Sequence, residues 1–305
     1  MNGVLAVDKP QGVTSHDVVA TARRALRCKT IGHTGTLDPM ATGVLPLVCG
    51  KATRLARFLT ASDKEYEVVA RFGVATDSYD ITGRVTAESA ERPTREALEA
   101  AVAACLGDRL QTPPAYSAKK VNGRRAYALA RRDQTVQVPP ARVTLASADV
   151  LTWDGTDLTL RLVCSAGFYV RSLVHELGQM TGAGATVVAL RRTRAGAFLA
   201  SSAVDLGTVA GAAQPGAAAD AVARAFIPLD RLLPDMPAVH VGAEGLARVR
   251  HGQDLLPAHC VPAGGGPASG ATEVWTRVLG PDATLVAIAA GGPEAAALHP
   301  AVVLI

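Results

Sequence analysis

Twelve residues, Gly32-His33-Thr34-Gly35-Thr36-Leu37-Asp38-Pro39-Met40-Ala41-Thr42-Gly43, hold three glycines and a proline. No helix or strand period survives that density of turn-formers, so the stretch is a loop, and the fold has to be one that carries it. It runs directly into Val44-Leu45-Pro46-Leu47-Val48, a short unbroken apolar run that reads as a buried strand. Pro39 biases Asp38 away from helical geometry and sets the chain direction after it, so the carboxylate is held in place. A lone Asp-Pro is most often a turn whose aspartate caps the next segment. Here the aspartate shares its loop with His33 and three threonine hydroxyls and leads straight into a buried strand, as function-bearing loops do. Gly50-Lys51 invites comparison with a phosphate-cradling loop, but Leu45 stands where that motif needs its first glycine and Ala52 where it needs Ser or Thr.

The flanking segments have patterns of their own. Val4 to Val7 reads as a strand, and Thr14 with Asp17 three residues on reads as the capping box of a helix burying Val18, Val19, Ala22 and Leu26. Residues 51–59 read as helical, and 64–72 alternate as a strand with Tyr66 and Val68 on one face. Residues 76–85 form a polar hairpin, 93–106 an amphipathic helix begun by Thr94, and 158–163 another strand. Val170, Leu173, Val174 and Leu177 repeat at helical spacing, which leaves Arg171 in the first turn and off the apolar stripe. A cation there opposes the helix dipole, so a partner is expected. Residues 203–225, rich in Ala and Gly, read as a surface excursion, and strands recur at 273–279, 284–290 and 301–305 between Gly- and Pro-rich turns.

The block GHTGTLDPMATGVLPL resembles the signature of the TruB-type tRNA pseudouridine-55 synthases. The resemblance implies an α+β fold: a mixed, mainly antiparallel sheet in a pseudouridine synthase catalytic domain over residues 1–230, and a small β-rich PUA-like RNA-binding domain over 238–305. It implies isomerisation of a uridine in the tRNA T-loop to its C-glycoside, with Asp38 as nucleophile and no cofactor or metal. Further blocks resemble the family's: Lys9-Pro10 with Gly12, Thr14 and Ser15, which supports the loop; Lys64-x-Tyr66, whose tyrosine packs on the target base; and a hairpin segment containing Asp80. Gly167-x-Tyr169-x-Arg171-x-Leu173 also matches, with Phe168 where the family usually has threonine. Leu190 matches a uracil-pocket position, followed by Arg191 and Arg192, which are phosphate anchors or surface charge. On this resemblance Asp38, Tyr66 and Arg171 are the catalytic set, with Arg171 lowering the pKa of a buried Asp38. The substrate side is His33, which braces the space a flipped base vacates, with Tyr169, Leu190 and Lys9.

The net charge of +4 is too mild to demand a nucleic-acid partner. Around 111–140, however, Lys119, Lys120, Arg124 and Arg125 are interleaved with Tyr116 and Tyr127. A solvated loop accounts for such a run as well; the Pro113-Pro114-x-Tyr116-Ser117-Ala118-x-Lys120 pattern, which resembles the family's, favours an insertion that contacts the tRNA T-arm. Five scattered cysteines without metal spacing read as free buried thiols in a reducing cytosol. With no membrane-length apolar stretch, a cytoplasmic monomer is expected. Two other classes stay open: a non-catalytic tRNA-folding chaperone, and a carboxylate-dependent nucleoside or glycoside hydrolase, which needs a second acid not evident beside Asp38.

Overall fold

The structure is a computed structural model describing residues 1–117, 119–121, 124–125, 138–263 and 274–305, with the backbone alone at 120–121 and 124–125. Four strands organise the site: β1 (Gly3–Lys9), β2 (Ile31–His33), β3 (Thr42–Cys49) and β4 (Lys64–Phe72). Among the described residues they belong to an 11-stranded sheet whose main path runs Val204–Asp205, β1, β3, Ala185–Ala195, β4, Asp157–Cys164, Ala141–Trp153, Gly107–Gln111. Pairing along that path is antiparallel except for Val204–Asp205 on β1 and Ala185–Ala195 on β3, which are parallel. The sheet is mixed and mainly antiparallel, as expected.

Both faces of β3 are buried, which explains its unbroken apolar run. Leu45 and Leu47 enter the main core with Val68, Leu160, Leu173 and Val174, whereas Val44 and Val48 enter a second core on the opposite side. Helix α1 (Ser15–Ala25) covers the first face, and its start is fixed by the expected capping box, in which Thr14 Oγ1 accepts from Asp17 N and Asp17 accepts from Thr14 N. The segment 203–225 is not a surface excursion. It forms helices Leu206–Gly211 and Ala217–Ala225, with Val209 and Val222 buried in the main core, between two short strands that both pair with β1. Its apolar positions are too few among the alanines for the helical period to show in the sequence.

The C-terminal strands form a separate five-stranded sheet in the order Cys260–Pro262, Ala238–Val241, Trp275–Leu279, Leu285–Ala290, His299–Val303. One of its faces closes the second core: Leu285, Ile288 and Leu304 pack with Val4, Val44, Leu55, Leu59 and Phe198. Phe58 meets Trp275 edge-on at 5.2 Å, with the Arg57 guanidinium 4.6 Å and 4.5 Å from the two rings. Arg54 donates to the carbonyl of Val303 at 2.6 Å. Among the described residues no helix is long and apolar enough to cross a membrane.

Because this core is shared, Ile288→Ala, at a fully buried position, is expected to cost about 3 kcal/mol and to lower the stability of the whole chain. Denaturant unfolding followed by tryptophan fluorescence and by far-ultraviolet dichroism should shift together. An early transition confined to the C-terminal sheet would contradict the shared core.

Candidate active site

The loop between β2 and β3 is pinned on both sides of Asp38. Leu37, Met40 and Ala41 are buried in the main core, and the Asp38 carbonyl accepts from Ala41 N at 3.1 Å. Ser15 Oγ accepts from Leu37 N at 2.9 Å and donates to Leu37 O at 3.1 Å. The Pro39 carbonyl accepts from Gly12 N at 2.8 Å and from Lys9 Nζ at 3.4 Å. The Lys-Pro-x-Gly-x-Thr-Ser segment thus holds the loop from below. Lys9 is fully buried and also donates to the Pro10 and Val13 carbonyls, so it props the loop from beneath and lines neither cavity at the site, in contrast to the substrate-side place expected of it. Burial lowers its pKa to about 8 against the pull of Asp38.

Arg171 closes the loop from the other side. Its Nη2 donates to Asp38 Oδ1 at 3.0 Å, and its Nε lies 2.8 Å from Oδ2 as an ion-pair contact without hydrogen-bond alignment, so the carboxylate is held by one hydrogen bond and a close opposite charge. The same group donates to the Ser78 carbonyl at 2.7 Å and the Tyr116 carbonyl at 2.9 Å, and lies 3.4 Å from Asp80 Oδ2. Asp80 Oδ1 accepts from Ser78 Oγ, Thr82 N and Thr82 Oγ1 at 2.9, 3.0 and 2.6 Å. Arg171 is 3% exposed; it sits in the first turn of helix Val170–Met180, and the partner expected there is Asp38. Arg171 lowers the Asp38 pKa as expected, but it does not prevail. Burial raises the Asp38 pKa above the ordinary carboxylate value and nearby Asp80 adds to it, outweighing the downward pull of Arg171 and Lys9.

Asp38 and Arg171 stand between two cavities. One, of about 240 Å³, is lined by Lys64, Tyr66, Phe168, Tyr169, Leu190 and Arg192 among others. The other, of about 600 Å³, is lined by Thr14, His16, His33, Asp80 and Tyr116 among others. The sheet order accounts for the first set: Tyr66 on β4 pairs with Arg192, Leu190 pairs with Val68, and Arg192 pairs on its other side with Gly43. A Cβ on Gly43 would stand 2.2 Å from the Arg192 carbonyl oxygen, so only glycine permits that approach at its φ of +105°. Gln111 donates to the Tyr169 carbonyl at 3.0 Å and accepts from Tyr169 N at 2.8 Å, fixing the residue that opens the helix. Burial raises the pKa of both tyrosines, while Arg192 beside the Tyr66 hydroxyl and Ser117 beside that of Tyr169 oppose it.

The structure therefore gathers Asp38, Tyr66, Arg171, Tyr169 and Leu190 in one place, with His33 at the larger cavity. It does not leave Arg192 on the surface. That side chain is 1% exposed and donates to the Val44 and Gly35 carbonyls at 2.8 and 3.1 Å, so it clamps the loop and is closed to an outside phosphate. Arg191 is half-exposed and paired with Asp8 at 2.7 Å. Lys119 is exposed. The backbones of Lys120–Val121 and Arg124–Arg125 pair as strands, while the Lys120, Arg124 and Arg125 side chains and much of the 111–140 insertion lie outside the described residues. Sequence reasoning gives no part to Lys64 or Gln111 at the site. Lys64 is within its reach, because it shares the inward parity of Tyr66, Val68, Ala70 and Phe72. Cys49, Cys105 and Cys164 are buried, whereas Cys28 and Cys260 are half-buried. Among the described residues no three or more His, Cys, Asp or Glu side chains gather as metal ligands would.

Comparison with known proteins decides the family. Residues 23–170 match the TruB family pseudouridylate synthase N-terminal domain, and 171–234 match the tRNA pseudouridylate synthase B C-terminal domain. The chain is 45% identical to tRNA pseudouridine synthase B of Solibacter usitatus over 91% of its own length and 92% of that protein's. The chain belongs to the TruB family. It is therefore a pseudouridylate synthase, and Asp38 lies within the segment that the N-terminal family model covers. It is also 42% identical to tRNA pseudouridine synthase B of Ralstonia nicotianae, over 84% of this chain and 81% of that one. The fold is shared with the protein in the crystal structure of the archaeal box H/ACA sRNP Nop10-Cbf5 complex, at a TM-score of 0.74 and 24% identity over 100% of this chain and 86% of that one.

Arg171→Lys keeps a cation but loses the planar group that bonds Asp38 and the Ser78 and Tyr116 carbonyls at once, so the carboxylate is no longer fixed relative to those segments. Turnover of the family reaction is expected to fall about 100-fold with the melting temperature little changed. Kinetics like the wild type would remove Arg171 from the positioning of Asp38.

Proposed function

We propose that this TruB family member converts a uridine in the T-loop of tRNA, at position 55, to pseudouridine, with Asp38 as the nucleophile. The observation that carries this reading is the placement of Asp38, held by a hydrogen bond and an ion-pair contact from Arg171, where a smaller cavity or slot, walled in part by Tyr66, Phe168 and Leu190, meets a wider one. In the proposed course a flipped uracil enters the slot beside Tyr66, Phe168 and Leu190, while the sugar and backbone stay on the wider side. His33 lines that wider side and braces the space left in the RNA.

The reaction breaks the bond from uracil N1 to the sugar C1′ and makes one from C5 to C1′. The proton on C5 goes to solvent and N1 gains one, so atoms and electrons balance without oxidant, reductant or cofactor. Asp38 supports the cleavage by attacking the sugar or by taking a proton from it. In this reading Tyr66 packs on the base, and its hydroxyl helps relay the C5 proton to solvent, giving up its own proton as it takes the one from C5. Lys119 and the basic residues at 120, 124 and 125 are assigned to RNA phosphates, and the C-terminal sheet to a PUA-like contact with the tRNA. A hydrolase gains nothing from Asp80: its Oδ1 accepts three hydrogen bonds and its Oδ2 faces Arg171, an arrangement for an acceptor and not for an acid.

Asp38→Asn keeps the size of the side chain and removes its charge and nucleophilicity. The variant is expected to bind tRNA with near-normal affinity and to release no tritium from tRNA labelled at uracil C5; release at close to the normal rate would make Asp38 a turn residue.

The pH dependence comes from the direction of the Asp38 shift. Because the carboxylate is the active form and its pKa is raised by burial, activity is present above the raised value and lost as pH falls through it. The acid limb of kcat is thus expected above the range of an exposed aspartate, about pH 4. A pH–rate profile still flat down to that value would show that the carboxylate is not held up.

A further inference from the structure

Two positive charges in the slot have no part in the chemistry at the sugar. Lys64 is 6% exposed and Arg192 is 1% exposed, and both line the 240 Å³ cavity. Among the described residues neither is paired with a carboxylate. Lys64 Nζ donates to the Thr60 and Ser62 carbonyls. Arg192 donates to the Val44 and Gly35 carbonyls and meets the Tyr66 hydroxyl. Carbonyl dipoles hold a cation without neutralising it. Burial first, and then Arg192 as a like charge, push the Lys64 ammonium below its ordinary pKa, against a weaker opposing pull from Cys164 and from Asp63, which makes no ion pair with it.

Burying two unneutralised cations side by side costs stability, and a fold needing only to tie strand ends together would manage with neutral donors. A plainer account exists for part of this. Thr60 ends helix α2 (Ala56–Thr60), and a lysine beside the carbonyls at a helix end is favourable in itself. That accounts for the two hydrogen bonds of Lys64. It does not account for its opening onto the slot or for Arg192 beside it.

The chemistry of the slot does. When N1–C1′ breaks, its electron pair goes to uracil, which leaves as an anion with charge spread over N1, O2 and O4. That charge develops inside the slot, is consumed when C5 bonds to C1′, and returns as C5 loses its proton, until N1 gains one. Fixed positive charge in a site with little water acts on such a developing anion without reorganising. An ammonium has three N–H donors and Lys64 uses two of them on carbonyls, leaving one for a base oxygen. We infer that Lys64 and Arg192 form a cationic floor that stabilises the uracil anion as it leaves the sugar. The inference rests on the isomerase reading of the site and extends it from the sugar side of the reaction to the base side.

The test compares tRNA carrying uridine with tRNA carrying 5-fluorouridine at the target position. Fluorine at C5 makes the uracil more acidic and a better leaving group, so it needs less help from the protein. Lys64→Met removes the charge. Lys64→Gln removes it too but keeps an amide donor for the helix-end carbonyls, so a folded variant is read even if one of the two fails. Single-turnover consumption of each nucleoside at saturating enzyme is measured by mass spectrometry of digested tRNA. The expected loss is about 100-fold on uridine and about 10-fold or less on 5-fluorouridine, with tRNA affinity unchanged. Equal losses on the two substrates, or none, in a variant that melts like the wild type would overturn the inference and leave Lys64 as a helix cap. A wild-type enzyme that consumes neither substrate would instead strike down the isomerase reading itself.

Discussion

One buried guanidinium ties the site together. Arg171 contacts three stretches far apart in sequence: the Asp38 loop, the hairpin carrying Ser78 and Asp80, and the segment at Tyr116. Since arginine stays charged, it has to be matched where it is buried. It is matched twice, by Asp38 and Asp80, so the three groups together leave one negative charge in the interior. Lys9, enclosed beneath the loop, draws on Asp38 from the far side. Hence the carboxylate is held in position while its pKa is raised: the contacts set its place, and partial burial together with the nearby Asp80 charge sets the direction of its proton affinity.

Charge is also distributed unevenly around the slot. Asp38 and Asp80 line the wider cavity, and Lys64 and Arg192 line the smaller one, held by carbonyls and, for Arg192, by the Tyr66 hydroxyl as well. A base bound between them would sit in a field directed from the cations to the carboxylates. The same strand register that brings Arg192 opposite Tyr66 brings its backbone against Gly43, so the clamp on the loop and the charge under the base are one structural event. The docking of the C-terminal sheet depends on β3 in a similar way, because burying both its faces requires something to cover the second one.

Much of this is legible in the sequence. The glycine and proline density of Gly32–Gly43 marks a loop, which the structure confines to 34–41 because Gly32 and His33 end β2 and Thr42 and Gly43 begin β3; the strand after it is evident, and Thr14 with Asp17 announces a helix whose capping box is present in the structure. These are local constraints, set by backbone sterics and side-chain periodicity within a few residues. Arg171 stands out because a first-turn cation off the apolar stripe needs a partner. The failures have physical causes as well. Arg192 reads as exposed because the strand 185–195 contains register shifts between Val187 and Ala189 and between Arg192 and Arg194, which break the alternation that would mark it as inward. Residues 203–225 read as an excursion because alanine-rich helices show little apolar contrast.

By itself, then, the sequence determined the loop, the identity of its carboxylate, the elements on either side and the likeness to the TruB family, since each of these depends on residues close together in the chain. The tertiary structure alone decided which cation meets that carboxylate, that Lys9 and Arg192 face inward, that Lys64 opens onto the slot, and that burial prevails over Arg171 in setting the proton affinity of Asp38. Such outcomes depend on how separate segments pack, from Lys9 against Pro39 to Arg171 against Asp38 133 residues away, and on how far that packing excludes water, and neither quantity is written in local spacing.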